Sequence, residues 1–219
     1  MMELFEEEIS FLNKSGFFDN SAASKENYNK TPDIHDIHKL RLIYKLKSIY
    51  RLNSVDSRHE SAAEHTWSAM MLADYVLSES DIKINKLKVY ELLMYHDLVE
   101  IHAGDTPITS ESQIATQKER EHVAFQRLIK ELPHHMAEKY QLIYNEFIEG
   151  KTIEAKFARA IEELDSSIHE LDYKKDWIGF SEEFLRKKKT TWYKEFPIIM
   201  EIFEEFLKYC NENGFFNQK

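Results

Sequence analysis

The sequence predicts an all-α protein, a single-domain helical bundle. Three observations carry that expectation. Glycine and proline are scarce, 5 and 4 in 219 residues, so few points interrupt a helix. Glu, Lys, Leu and Ala, all good helix formers, are plentiful. Apolar residues recur at helical spacing over long stretches rather than in strict alternation.

The elements follow in order. Residues 3–13 read as a short amphipathic helix, and residues 20–32, rich in Ser, Asn and Lys, as a loop. Residues 1–32 are therefore expected to be an N-terminal extension of a bundle over 33–219. From Asp33, the residues Ile34, Ile37, Leu40, Ile43, Tyr44 and Leu46 mark one helix face. That helix is expected to run to Tyr50, with Arg51 at its end. Ser61 followed by Glu64 has the form of a capping box and starts a second helix. A third starts near Asn85 and carries the apolar stretch that closes on His96-Asp97. A charged helix over 110–132 stops before Pro133. Two more are expected over 134–148 and 152–174, with a turn at Gly150. The tail, 191–213, sets Phe196, Ile199, Phe203, Phe206 and Leu207 on one side of a last helix.

Composition narrows the function. The net charge of −10 argues against a partner that is a nucleic-acid polymer. It leaves room for a nucleotide, since a metal and a few arginines can hold one phosphate. The lone Cys210 excludes an intramolecular disulfide and suggests a reducing compartment. No apolar run is long enough to span a bilayer, and the acidic start, Met1 to Glu8, lacks the basic region of a signal peptide. A cytoplasmic protein without a membrane partner is the expectation.

The chemistry centres on His96-Asp97. Two metal-binding side chains at the end of a buried helix are costly unless something satisfies them, and a divalent metal would satisfy both. The dipeptide recurs at His35-Asp36, in a polar stretch that suggests no role. What distinguishes His96-Asp97 is its company. Arg58-His59-Glu60-Ser61-Ala62-Ala63-Glu64-His65 lies upstream. Glu100 and the turn Ala103-Gly104-Asp105-Thr106-Pro107 lie downstream, and Asp165 closes the run Ala158 to Asp165. Asp165 sits centrally on the stripe of Ala158, Ile161, Leu164 and Ile168, whereas Asp172 meets the polar helix end. A buried central Asp needs a partner, so Asp165 is the better candidate ligand. Glu64 reads as the cap itself. Glu100, four residues after His96 and three after Asp97, can overhang the same ion. Arg51 and Arg58 supply the planar, permanently charged donor that a phosphoryl group needs.

The order His65, His96-Asp97, Asp165 resembles the HD-domain metal-dependent phosphohydrolases. The phrases Glu60-Ser61-Ala62-Ala63-Glu64-His65, His96-Asp97-Leu98-Val99-Glu100, Gly104-Asp105-Thr106-Pro107 and Thr152 to Ala158 are similar to the branch that contains the 5'-deoxynucleotidases. The resemblance runs from about Leu40 to Trp192. It implies an HD-domain helical bundle with one divalent transition metal (Mn, Co, Fe, Ni or Zn) held by His65, His96, Asp97 and Asp165. It implies catalysis by Glu100 and Asp105, with the division between them open, and phosphate binding by Arg51; Arg58 is a second candidate from its charge and place before the Glu-Ser motif. His102, His122, His134, His135 and His169 have no ligand spacing, so one metal is expected. In the deoxynucleotidases a tryptophan follows the helix arginine; here Leu52 stands in its place, which relaxes the expectation of 2'-deoxy selectivity. The expected reaction is hydrolysis of a (deoxy)nucleoside 5'-monophosphate to nucleoside and phosphate. Another small phosphate ester, a pyrophosphate, or a non-catalytic metal-containing module remain the alternatives. The amphipathic tail and Phe215-Phe216 suggest a homodimer.

Overall fold

The computed structural model describes residues 34–216. The helix expected over residues 3–13 and the loop over 20–32 lie outside the described residues. By its contacts the chain divides into Met1–His35 and Asp36–Lys219. The core and the site lie in the second unit.

The architecture is all-helical apart from one hairpin. Helix α1, Ile34–Leu40, is followed by a 3-10 turn, Ile43–Ser48. Strands β1, Tyr50–Val55, and β2, Arg58–Ser61, pair antiparallel, with Tyr50 opposite Ser61, Ser54 opposite His59 and Val55 opposite Arg58. The helix expected to reach Tyr50 therefore stops short, and Arg51 lies on a strand. The reversal needs a residue with positive φ, and Asp56 takes φ 51°, a conformation Asp tolerates better than most residues.

Helix α2, Ala62–Ser78, begins on the expected capping box. The Ser61 hydroxyl accepts from the Glu64 amide at 3.3 Å, and the Glu64 carboxylate accepts from the Ser61 amide at 2.9 Å. Its buried residues, Ala62, His65, Thr66, Ala69, Ala73 and Val76, keep helical spacing. Alanines at the centre of this stripe let neighbouring helices approach closely. Helix α3, Lys86–Tyr95, is capped by Asn85 and runs into a 3-10 turn, His96–Val99, and then a short helix α4, Glu100–Ala103. Helix α5, Glu111–Glu131, helix α6, His134–Glu149, and helix α7, Ile153–His169, follow. Gly150, at φ 59°, closes α6 in the left-handed conformation that glycine adopts without strain. Two 3-10 turns lead to α8, Glu182–Tyr193, and α9, Pro197–Glu212. The sequence stripe had shown only α9 of that pair.

Helix α7 is the centre of the bundle. It packs on α2, α3, α6, α8 and α9. The tail's apolar residues Ile199, Phe203, Phe206 and Leu207 are buried in the chain's own core with Trp177 and Phe215. The stripe that suggested a homodimer is thus consumed within the chain. Among the described residues no helix is long and apolar enough to cross a membrane.

Candidate metal centre

The capping box fixes where α2 begins, and so sets His65 in its first turn, fully buried, facing α7. The end of α3 delivers His96 and Asp97, both buried, on the 3-10 turn. The site thus forms where three helical segments meet.

Each imidazole is anchored through one nitrogen. His96 Nδ1 donates to the Leu93 carbonyl at 2.6 Å. His65 Nδ1 donates to Asp165 Oδ2 at 2.8 Å, and the same oxygen accepts from the Ser68 hydroxyl at 2.8 Å. An imidazole whose Nδ1 carries the proton presents Nε2 as a lone pair. Both Nε2 atoms are buried without a hydrogen-bond partner, as are Asp97 Oδ2 and Glu162 Oε2. Buried polar atoms are normally paired, so a group of such orphans requires an explanation. His96 Nε2 lies 3.0 Å from Asp97 Oδ1 without hydrogen-bond alignment, and His65 Nε2 lies 4.0 Å from Asp97 Oδ2. Neighbouring donors on one ion, at bond lengths of roughly 2.0–2.2 Å, sit about 3–4 Å apart. The residues present therefore fit a divalent transition metal.

Glu162, one turn before Asp165 on α7, is the residue that sequence reasoning missed. Atoms of His65, His96 and Glu162 lie within 4.8 Å of one another. Glu60, His65 and Asp165 form a second such group. The apolar stripe had pointed to Asp165 alone among the acids of the run Glu162-Glu163-Leu164-Asp165, although Glu162, three residues earlier, shares its helix face. Asp172 is exposed, away from this group.

Arg51 borders the cluster. Its guanidinium lies 3.3 Å from Glu60, 3.9 Å from Asp97 and 4.0 Å from Asp105. Burial alone would lower its pKa, but Asp97, Asp105, Glu100 and Glu60 together raise it, so it stays charged. Burial would likewise push Asp97 up, yet His96 and His65 in their charged forms, and the Arg51 guanidinium, pull it below the usual carboxylate range; with neutral imidazoles Arg51 is the lasting cation. Glu100 is different. Burial, and then the charges of Asp97 and Asp105, push its carboxyl well above the ordinary value. Burial also raises Asp105. Asp105 reaches Arg51 because Gly104, at φ 73° and ψ 160°, turns the chain back through a conformation essentially restricted to glycine.

Other expected residues stand apart. Arg58 is exposed and bound bidentately by Glu64, with Nη1 to Oε2 at 2.8 Å; it is not part of the cluster. Leu52 is exposed, since successive strand residues face opposite ways and Arg51 points inward. His102 binds Glu131 at 2.8 Å, while His122, His134, His135 and, on α1, His35 are exposed. His169 does approach the site. Its Nε2 bonds the Ser54 carbonyl at 2.8 Å and its Nδ1 lies 3.9 Å from Glu60.

Residues 43–200, well over half the chain, match the HD domain family, and the chain belongs to that family. Over 116 residues it is 28% identical to the 5'-deoxynucleotidase HDDC2 of Xenopus laevis, covering 52% of this chain and 55% of that protein, so only about half the relative's length is spanned. The crystal structure of a predicted metal-dependent phosphohydrolase from Magnetospirillum magnetotacticum MS-1 is similar at TM-score 0.69 and 26% identity, over 83% of this chain and 93% of that one. An HD-domain phosphohydrolase from Listeria innocua shares the fold at TM-score 0.60 and 20% identity, over 83% and 92% of the two chains.

Proposed function

We propose that this chain is a metal-dependent phosphohydrolase that cleaves (deoxy)nucleoside 5'-monophosphates to nucleoside and phosphate. The observation that carries the reading is the juxtaposition of orphaned metal donors on His65, His96 and Asp97 with the buried Arg51 guanidinium 3.9 Å from Asp97. The likeness to a 5'-deoxynucleotidase supports the substrate class.

His65, His96 and Asp97, with a carboxylate from α7, would hold one divalent metal. When bound, the ion draws charge from the phosphoryl group and lowers the pKa of attacking water. Arg51 binds the phosphate; a charged, planar donor in a buried setting keeps both charge and direction. Glu100 and Asp105 handle protons. Water attacks phosphorus and the bond to the 5'-oxygen breaks. One carboxylate accepts the water's proton and a carboxyl supplies a proton to the leaving oxygen. Burial, with the charges of Asp97 and Asp105, raises the Glu100 carboxyl, which favours it as the proton donor. Arg58 gives no support to the phosphate role, being engaged by Glu64. The protein works in the cytoplasm on a small-molecule nucleotide.

The test combines elemental analysis with phosphate release from a panel of nucleotides, sugar phosphates and pyrophosphates. Native protein from metal-replete medium should hold about one transition metal per chain and release phosphate fastest from 5'-monophosphates. His96→Ala and Asp97→Ala should lose both. Native protein without metal, or a preference for pyrophosphates, would reject the reading.

A further inference from the structure

The geometry points to Glu162, not Asp165, as the carboxylate of α7 that completes the metal-ligand set with His65, His96 and Asp97; Asp165 is a positioning residue that fixes the tautomer and orientation of His65. The inference deepens the proposed function and rests on its metal. It departs from the ligand order that the sequence pattern suggests.

Four observations carry it. Asp165 Oδ2 is already engaged twice, by His65 Nδ1 and by the Ser68 hydroxyl, each at 2.8 Å. It faces the nitrogen of His65 that carries the proton, on the far side of the ring from Nε2. A carboxylate in that place is the outer-shell partner of a metal-bound histidine, which sets the ring and raises its basicity. His96 has the equivalent anchor in the Leu93 carbonyl. By contrast, Glu162 Oε2 is buried and lacks a hydrogen-bond partner, and so shares the condition of His65 Nε2, His96 Nε2 and Asp97 Oδ2.

The two acids are three residues apart, so both project from one face of α7. Nearly a turn of helix separates them along the axis, so the two carboxylates sit at different heights beside the histidines. Glu162 falls within 4.8 Å of donor atoms on both His65 and His96, whereas Asp165 groups with His65 and Glu60. Only the first arrangement draws on both histidines. Arg159 Nη1, 3.5 Å from Glu162 Oε2, is the nearest cation to this carboxylate. It also lies over the Phe147 ring, 4.1 Å from the centroid, and is half-buried on the side of α6.

The experiment uses metal-free full-length protein titrated with Co2+. Affinity is read by chelator competition and the ligand set by the visible d–d bands. Glu162→Gln should weaken Co2+ binding by about 100-fold or more and alter the bands of whatever Co2+ binds, because a ligand has been lost. Asp165→Asn should weaken binding by about 10- to 100-fold, as outer-shell changes do, yet show wild-type bands once saturated. Glu162→Asp keeps a carboxylate on a shorter arm, and should bind more tightly than Glu162→Gln with bands displaced from wild type. Circular dichroism of the metal-free proteins establishes folding; if Glu162→Gln does not fold, Glu162→Asp decides. Unchanged affinity and bands in a folded Glu162 variant overturn the assignment. So does an Asp165→Asn protein whose saturated bands differ from wild type while those of Glu162→Gln do not. A wild-type protein that binds no Co2+ fails the metal reading itself, whereas failure of these variants alone leaves that reading standing.

Discussion

Glu162 and Glu163 are neighbours on α7, about 100° apart around its axis, and the two regions they face satisfy burial in opposite ways. Glu163 faces α8. There the buried Lys189 lies 3.5 Å from its carboxylate and also donates to the Glu163 carbonyl and the Ser166 hydroxyl. The surroundings are apolar and aromatic: Phe157 meets Phe196 edge-on at 5.2 Å, and Trp177 sits against Phe206 and Phe215. A Tyr193 hydroxyl without a hydrogen-bond partner is the exception there. Glu162 faces α2 and the end of α3, where orphaned nitrogens and carboxylate oxygens collect and the nearest cations are arginines at the margin. One side of α7 is completed by the chain. The other has donors in search of an acceptor, which is what a metal site looks like without its ion. The contrast teaches that burial alone does not mark a functional region; unanswered polar atoms do.

Substitutions on the two sides should therefore separate chemistry from stability. The largest effect belongs to the metal side. Glu100→Gln should keep its metal but lower turnover by about 100- to 10,000-fold, the usual worth of a general acid or base. Steady-state kinetics beside elemental analysis read both quantities, and wild-type turnover would reduce Glu100 to a structural carboxylate. On the other side, Lys189→Met leaves the half-buried Glu163 without its cation. Breaking a fully buried pair costs about 3–5 kcal/mol, so denaturant midpoints should fall by less than that limit but measurably. Metal content of the folded fraction should not change, and a loss of metal would mean that the two sides are coupled.

A smaller effect comes from Glu170, whose carboxyl burial pushes up to about 7. It accepts from the Asn53 amide at 2.8 Å, across from β1. With the folded pKa above the unfolded value, the folded state holds the proton more tightly. That contribution is fully present below the unfolded pKa and is lost as pH rises from about 4.5 to about 7. Glu170→Gln should remove this slope, matching wild type at acid pH and exceeding it at pH above 7 by about 1–3 kcal/mol. Urea melts across pH check the sign; a variant less stable at alkaline pH would contradict it. The smallest effect is expected from Leu52→Trp. Leu52 is exposed and turned away from Arg51, so the ratio of kcat/KM for dAMP over AMP should change by no more than about 10-fold, below the ceiling for an apolar wall that excludes one hydroxyl. A larger gain would bring position 52 back to the sugar.

The sequence by itself determined the helical class, the capping box at Ser61 and Glu64, the end of α5 before Pro133, and the candidacy of His65, His96 and Asp97. These are legible because helix propensity, caps and stops act within a few residues, and because two metal-binding groups closing an apolar run are a local anomaly. Only the tertiary structure turned the segment at Arg51 into a hairpin, engaged Arg58 with Glu64, brought Glu60 and His169 to the margin of the site, and buried the apolar face of α9 at home. It also brought Glu162 near both His65 and His96, and set Asp165 on His65 Nδ1. Periodicity places both acids on one face of α7, but the axial offset of α7 against α2 selects between them. That offset comes from the packing of side chains distant in sequence, which no local spacing encodes.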